Sequence, residues 1–193
     1  MKRASILAAS TLLLAALSHG SAVPAVAAIA TKSEAAAAKR AEAEPFARVY
    51  LALRGCTSCS HCRSTIRQMV RGNAKGGETR LDAGRVEVRY VAPGPVPLRE
   101  VVRGLADTRL HDLSLVDVLF EAKGTLVTVR DGTTRFKLAE TGQTFPLSVA
   151  PGLERPADGR PVRLVAVVEG WRAAQGRGEL SLQAREMNPP RAS

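Results

Sequence analysis

The chain has 193 residues, with 28 Lys+Arg against 18 Asp+Glu for a formal charge of +10, and only three cysteines. At 24% charged and 45% hydrophobic residues it has the balance of an ordinary globular protein of one or two small domains, and three cysteines exclude a disulfide-dense scaffold. Past its first residues no apolar run reaches the roughly eighteen needed for a membrane-spanning helix.

In chain order, Met1-Lys2-Arg3 is a basic head, residues 6–17 are nearly all Ala, Leu and small residues, and His19-Gly20-Ser21-Ala22 follows. Basic, apolar and small-residue segments in that order predict a signal peptide within residues 1–28, with small residues fitting cleavage after Ala22, Ala27 or Ala28. A periplasmic or secreted bacterial location is therefore expected. Removing Lys2 and Arg3 takes the charge from +10 to +8. Residues 29–45, in which TKSEAAAAKRAEAE runs up to Pro45, read as an Ala-rich linker.

A first folded domain is expected over residues 46–122. Val49, Leu51 and Leu53 alternate as one face of a strand. Gly55-Cys56-Thr57-Ser58-Cys59-Ser60-His61-Cys62 reads as a loop of small residues, after which Ile66, Met69 and Val70 recur at helical spacing until Gly72 ends the helix. A hairpin follows over residues 78–91, turning at Asp82-Ala83-Gly84 and placing Val86, Val88 and Tyr90 on one face. Pro93-Gly94-Pro95-Val96-Pro97 is a rigid connection. Leu98, Val101, Val102 and Leu105 form the apolar stripe of a second helix, and residues 113–121 read as a strand. The expected class is α+β: a ferredoxin-like β-α-β-β-α-β domain followed by a small all-β (OB-like) barrel.

All three cysteines fall within seven residues at the first strand-to-helix turn, as Cys-x-x-Cys-x-x-Cys. A helix N-terminus lowers the thiol pKa and favours the thiolate, the form that binds soft metals. On these residues the segment resembles the heavy-metal-associated (HMA) domain of copper chaperones and mercury-binding proteins. That family carries Cys-x-x-Cys between the first strand and first helix, with apolar residues four and eight positions after the second Cys. Ile66 and Val70 stand at those offsets from Cys62, which matches Cys59 and Cys62 to the family's pair. Thr57 occupies the position where the family usually has Met, and Arg67 one where many members are acidic. The resemblance implies an exported protein that binds a soft metal ion, Cu(I) favoured and Hg(II) or Zn(II) as further candidates. Cys59 and Cys62 would be its ligands, and Cys56 as a third would make the site three-coordinate. Transfer would go to or from a metal donor or acceptor protein by thiolate exchange.

Other uses of the cysteines stay open from the sequence. Cys59 and Cys62 could form a structural disulfide in a non-catalytic interaction or scaffold protein of the periplasm. A thioredoxin-like redox role lacks the aromatic residue before the first Cys. A structural zinc site would need a fourth ligand, from His61 or His111.

A second domain is expected over residues 123–187, with a disordered tail over 188–193; since only Lys123-Gly124 interrupts residues 113–129, its first strand could continue the last strand of the first domain, packing the two closely. Residues 126–130 and 134–138 flank Asp131-Gly132, a strong hairpin signal. Residues 142–147, 162–171 and 179–185 supply further short strands, enough for a small barrel. Phe136, Phe145 and Trp171 are its only aromatics. With so few stacking platforms and scattered Arg, no nucleic-acid partner is expected, and the positive charge suits an anionic membrane surface better. No constellation of catalytic acid, base and nucleophile is present, so no enzyme is expected. The sequence sets no oligomeric state.

Overall fold

The computed structural model describes residues 43–106, 113–172 and 179–189. The signal-peptide segment, nearly all of the linker, His111 and residues 190–193 of the tail lie outside these. Residues Ala43–Ser193 belong to one compact unit.

Among the described residues, eight strands and two helices run in the order β1 (Ala47–Arg54), α1 (Ser60–Asn73), β2 (Glu78–Asp82), β3 (Arg85–Tyr90), α2 (Leu98–Ala106), β4 (Ser114–Thr128), β5 (Thr134–Leu138), β6 (Thr144–Val149), β7 (Pro161–Glu169) and β8 (Ser181–Asn188). Their spatial order is β2-β3-β1-β4-β5-β6-β8-β7, and β7 returns to pair with β4, so five strands close a barrel. Pairing is antiparallel except between β6 and β8.

The α+β class read from the sequence, a ferredoxin-like domain followed by a separate small barrel, is corrected by this arrangement. The chain is mostly β, and all eight described strands share one sheet of which the closed barrel is a part. The reason lies in β4. Lys123-Gly124, at the start of the expected second domain, is the only interruption of the apolar pattern over residues 113–129, and β4 runs through it unbroken for 15 residues. Its first part pairs with β1 and its last part with β5, while β7 lies along residues Leu119 to Thr125. Gly124 sits where the barrel strands crowd together: a Cβ there would stand 2.2 Å from the Lys137 carbonyl oxygen and 2.6 Å from Phe136 Cζ. A glycine inside a strand marks such a close approach of backbone rather than a break.

One core serves both halves. Val49 and Leu51 of β1, Ile66 and Val70 of α1, Val101 and Val102 of α2 and Phe120 of β4 belong to the same buried cluster as Leu126, Phe136, Leu164 and Leu182 of the barrel. Phe145 packs on Phe120 with ring centroids 5.3 Å apart. The side chain of Gln143 bridges the halves again: its carbonyl accepts from the Val96 N–H at 2.8 Å and its amide donates to the Val96 carbonyl at 3.0 Å. On the other face of the sheet Glu121 of β4 accepts from Arg48 (3.3 Å) and Tyr50 (3.2 Å) of β1 and from Arg163 Nε of β7 (2.8 Å), tying three neighbouring strands. No helix among the described residues is long and apolar enough to cross a membrane.

Helix α1 does not stop at Gly72 as expected but continues to Asn73, whose side-chain amide donates to the Met69 carbonyl at 2.8 Å while Ala74 N–H closes on Val70. Gly72 has open space around its Cα and no positive φ. Gly72→Ala is therefore expected to stabilise the fold by about 0.5–1 kcal/mol, because alanine loses less backbone entropy in a helix. A urea midpoint at or below that of the parent would contradict this placement of the helix end.

Candidate metal centre

The cysteine loop is held between two rigid elements. β1 ends at Arg54, Gly55 turns the chain with φ of 113°, and α1 begins at Ser60. Cys59 is the N-cap of α1: its backbone is extended, and its sulfur accepts the Cys62 N–H at 3.2 Å. Sulfur here does what a Ser or Asp oxygen commonly does, satisfying a backbone donor that the first turn leaves unpaired. Cys62 lies in that first turn on the apolar face, 4% exposed, directly before the buried Ile66 and Val70 at one- and two-turn spacing. The stripe that buries α1 against the sheet thus also fixes the Cys62 sulfur beneath the loop.

The three Sγ atoms lie within 4.8 Å of one another, and all three residues are free thiols. Cys56 and Cys59 are in sulfur–sulfur contact at 3.3 Å. The Cys59 and Cys62 pair read from the sequence and its possible third member, Cys56, thus come together as a cluster of three rather than as a Cys-x-x-Cys pair. Such a cluster could hold a metal ion. His61 is exposed, and no ring nitrogen of it joins the sulfur group.

Cys56 and Cys62 do not ionise alike. Hydrogen bonding from the Cys59 N–H, and then from the Cys59 and Cys62 thiols, brings Cys56 down to about 7. The Cys62 thiol donates to Cys59 and Cys56 and is shielded from water, which pushes it up to about 12. Near neutral pH the cluster therefore carries thiolate character at its outer edge and a held proton at its base. The helix adds to this. α1 has no acidic residue in its first turn, so nothing there opposes its dipole, which favours negative charge at the sulfurs. Arg63 anchors the helix start, donating to the Leu81 carbonyl of β2 at 3.4 Å.

Spacing alone located the three cysteines. The capping role of Cys59 and the burial of Cys62 left only the faintest trace there, namely that Cys62, Ile66 and Val70 share one helical stripe.

Fold and site together define a small, mostly β protein with a closed five-stranded barrel and a three-cysteine cluster, able to hold a metal ion, at the N-terminus of its longer helix. No protein-family model, no curated protein and no solved structure matches the chain.

Proposed function

We propose that this is an exported protein that binds one soft metal ion on the thiolates of Cys56, Cys59 and Cys62 and exchanges it with a donor or acceptor protein. The observation that carries the proposal is the convergence of three sulfurs within 4.8 Å at a partly exposed loop. A metal–sulfur bond of about 2.3 Å places three equivalent sulfurs about 4.0 Å apart, which the cluster accommodates with small side-chain adjustments. Thiolate ligands select soft ions, so Cu(I) is the favoured cargo and Hg(II) the next. Zn(II) fits less well, since a closed zinc site wants four ligands and His61 does not join the sulfurs.

Exposure separates the roles of the ligands. Cys59 is exposed and Cys56 intermediate, so an incoming thiolate can reach an ion from their side while the buried Cys62 holds it from beneath. Ligand-by-ligand replacement from one open side is the route for passing an ion between proteins without releasing it to water. The basic head and short apolar segment at the N-terminus support export, and the absence of any acid–base–nucleophile constellation in the sequence favours binding and transfer over catalysis.

The test is an anaerobic titration of the reduced protein, recovered from the periplasmic fraction of an expressing bacterium, with Cu(I) in competition with a chromophoric chelator. One Cu(I) per chain is expected, with Zn(II) bound much more weakly. Absence of the chain from that fraction would overturn the export part, and no Cu(I) uptake by fully reduced protein would overturn the metal part.

A further inference from the structure

Metal binding needs all three sulfurs reduced, and the structure treats them unequally toward a disulfide-forming reagent. Cys56 and Cys59 are already in contact at 3.3 Å, whereas a disulfide needs about 2.05 Å. The remaining gap is a matter of side-chain rotation and slight movement of the loop residues Gly55 to Ser58, which belong to neither β1 nor α1. Cys59 is exposed and Cys56 intermediate, so a reagent can reach both from solvent. Cys62 is 4% exposed and sits on the apolar stripe of α1 with Ile66 and Val70, so drawing it out to form a bond would disturb the packing of the helix on the core.

We infer that Cys56 and Cys59 are a dithiol that reacts with external disulfides, closing a Cys56–Cys59 bond that leaves Cys62 a free thiol. The exposed Cys59 thiolate attacks one sulfur of the external disulfide. That S–S bond breaks, one external thiolate leaves, and Cys59 carries a mixed disulfide. The Cys56 thiolate then attacks Cys59 Sγ and expels the second external thiolate. The two protons lost by Cys56 and Cys59 end on the two released thiols; the cysteines are oxidised by two electrons and the external disulfide is reduced by two. The chemistry is that of thiol–disulfide exchange with a small or protein disulfide. If the metal proposal above holds, on which this consequence rests, the same bond withdraws two of three ligands at once, so the site would take up metal only when reduced.

The test uses the full chain, reduced, stripped of metal, and exposed to oxidised glutathione. After an acid quench, free thiols are blocked with N-ethylmaleimide in denaturant. Trypsin, cutting after Arg54 and Arg63, releases all three cysteines on one peptide, whose fragment ions locate the blocked residue. The expected product is one internal disulfide with the label on Cys62. In Cys56→Ser the glutathione adduct on Cys59 should persist about tenfold longer, because the internal attacking thiolate is gone, while Cys62→Ser should close the same bond at a rate within about twofold of the parent. A label on Cys56 or Cys59, three labels, or rapid resolution of the adduct in Cys56→Ser would overturn the inference. The same sample titrated with Cu(I) separates the two proposals: a Cys56–Cys59 bond in a protein that takes no Cu(I) when reduced sinks the metal proposal alone, and Cu(I) uptake with the wrong pairing sinks this one alone.

Discussion

Cys59→Ser is expected to lower Cu(I) affinity by more than about a hundredfold while leaving the fold intact. Losing a residue that merely orients a metal ligand costs about ten- to a hundredfold, so losing a ligand should exceed that range. The substitution is informative because of where Cys59 sits. As N-cap of α1 it accepts the Cys62 N–H, and a serine hydroxyl is among the best replacements for that acceptor. The helix therefore keeps its cap, and any lost affinity belongs to the missing sulfur. Circular dichroism and urea midpoint should match the parent, while competition titration shows the loss.

The pH dependence of the parent follows from the two displaced thiols. Metal binding needs thiolates, so protons compete with the ion and affinity falls as pH falls. Between about pH 7 and 12 the Cys62 proton must leave when metal enters, since that thiol is held up near 12. Below about 7 the Cys56 thiol is protonated as well, and its proton must leave too. The slope of log affinity against pH should therefore steepen by one proton on going down through about pH 7. A slope that stays constant from pH 6 to 9 would contradict the assignment of Cys56 as a ligand. A two-ligand site made of Cys59 and Cys62 alone would show no such break from Cys56, so the profile separates the cluster from the pair.

How much of this could be read from the residues depends on the range over which each feature is encoded. The alternation of Val49, Leu51 and Leu53, the stripes at Cys62, Ile66 and Val70 and at Leu98, Val101, Val102 and Leu105, and the Asp131-Gly132 turn are short-range patterns, and each marks its element. Strand partners are another matter. Nothing local in residues 161–169 announces that β7 will lie along β4, or that β6 will run parallel to β8, because such pairings are chosen by the shape of the whole core. The same holds for Glu121, whose partners Arg48, Tyr50 and Arg163 come together only once β1 and β7 flank β4. Gly124 was legible only in part for a related reason: the pattern on either side of it allowed a continuous strand, but only the neighbouring strands reveal the glycine as a point of contact.

Gly124→Ala should accordingly be among the most damaging single-methyl changes in the chain. Its φ is not positive, so alanine is conformationally allowed and the whole effect is steric. The added carbon would stand 2.2 Å from a backbone oxygen of β5 and under 3 Å from two ring atoms of the fully buried Phe136. Relief by sliding β5 away is blocked because β5 is paired on its far side with β6, and Gly124 itself is held opposite Val162 of β7. Overpacking of this kind costs about 3 kcal/mol, which for a chain of this size lowers Tm by roughly 10 °C. Because β4 and the core are shared, the loss should appear together in the fluorescence of Trp171, the single tryptophan, two residues beyond the end of β7, and in alkylation of the buried Cys62. Two separable domains would instead leave Cys62 protected while Trp171 changed, and a Tm within about 2 °C of the parent would show that Gly124 does not approach β5 this closely. The cysteine cluster and the barrel are thus predicted to melt as one, although no cysteine lies in the barrel, because the strand that supports β1 under the cysteine loop is the same strand that closes the barrel.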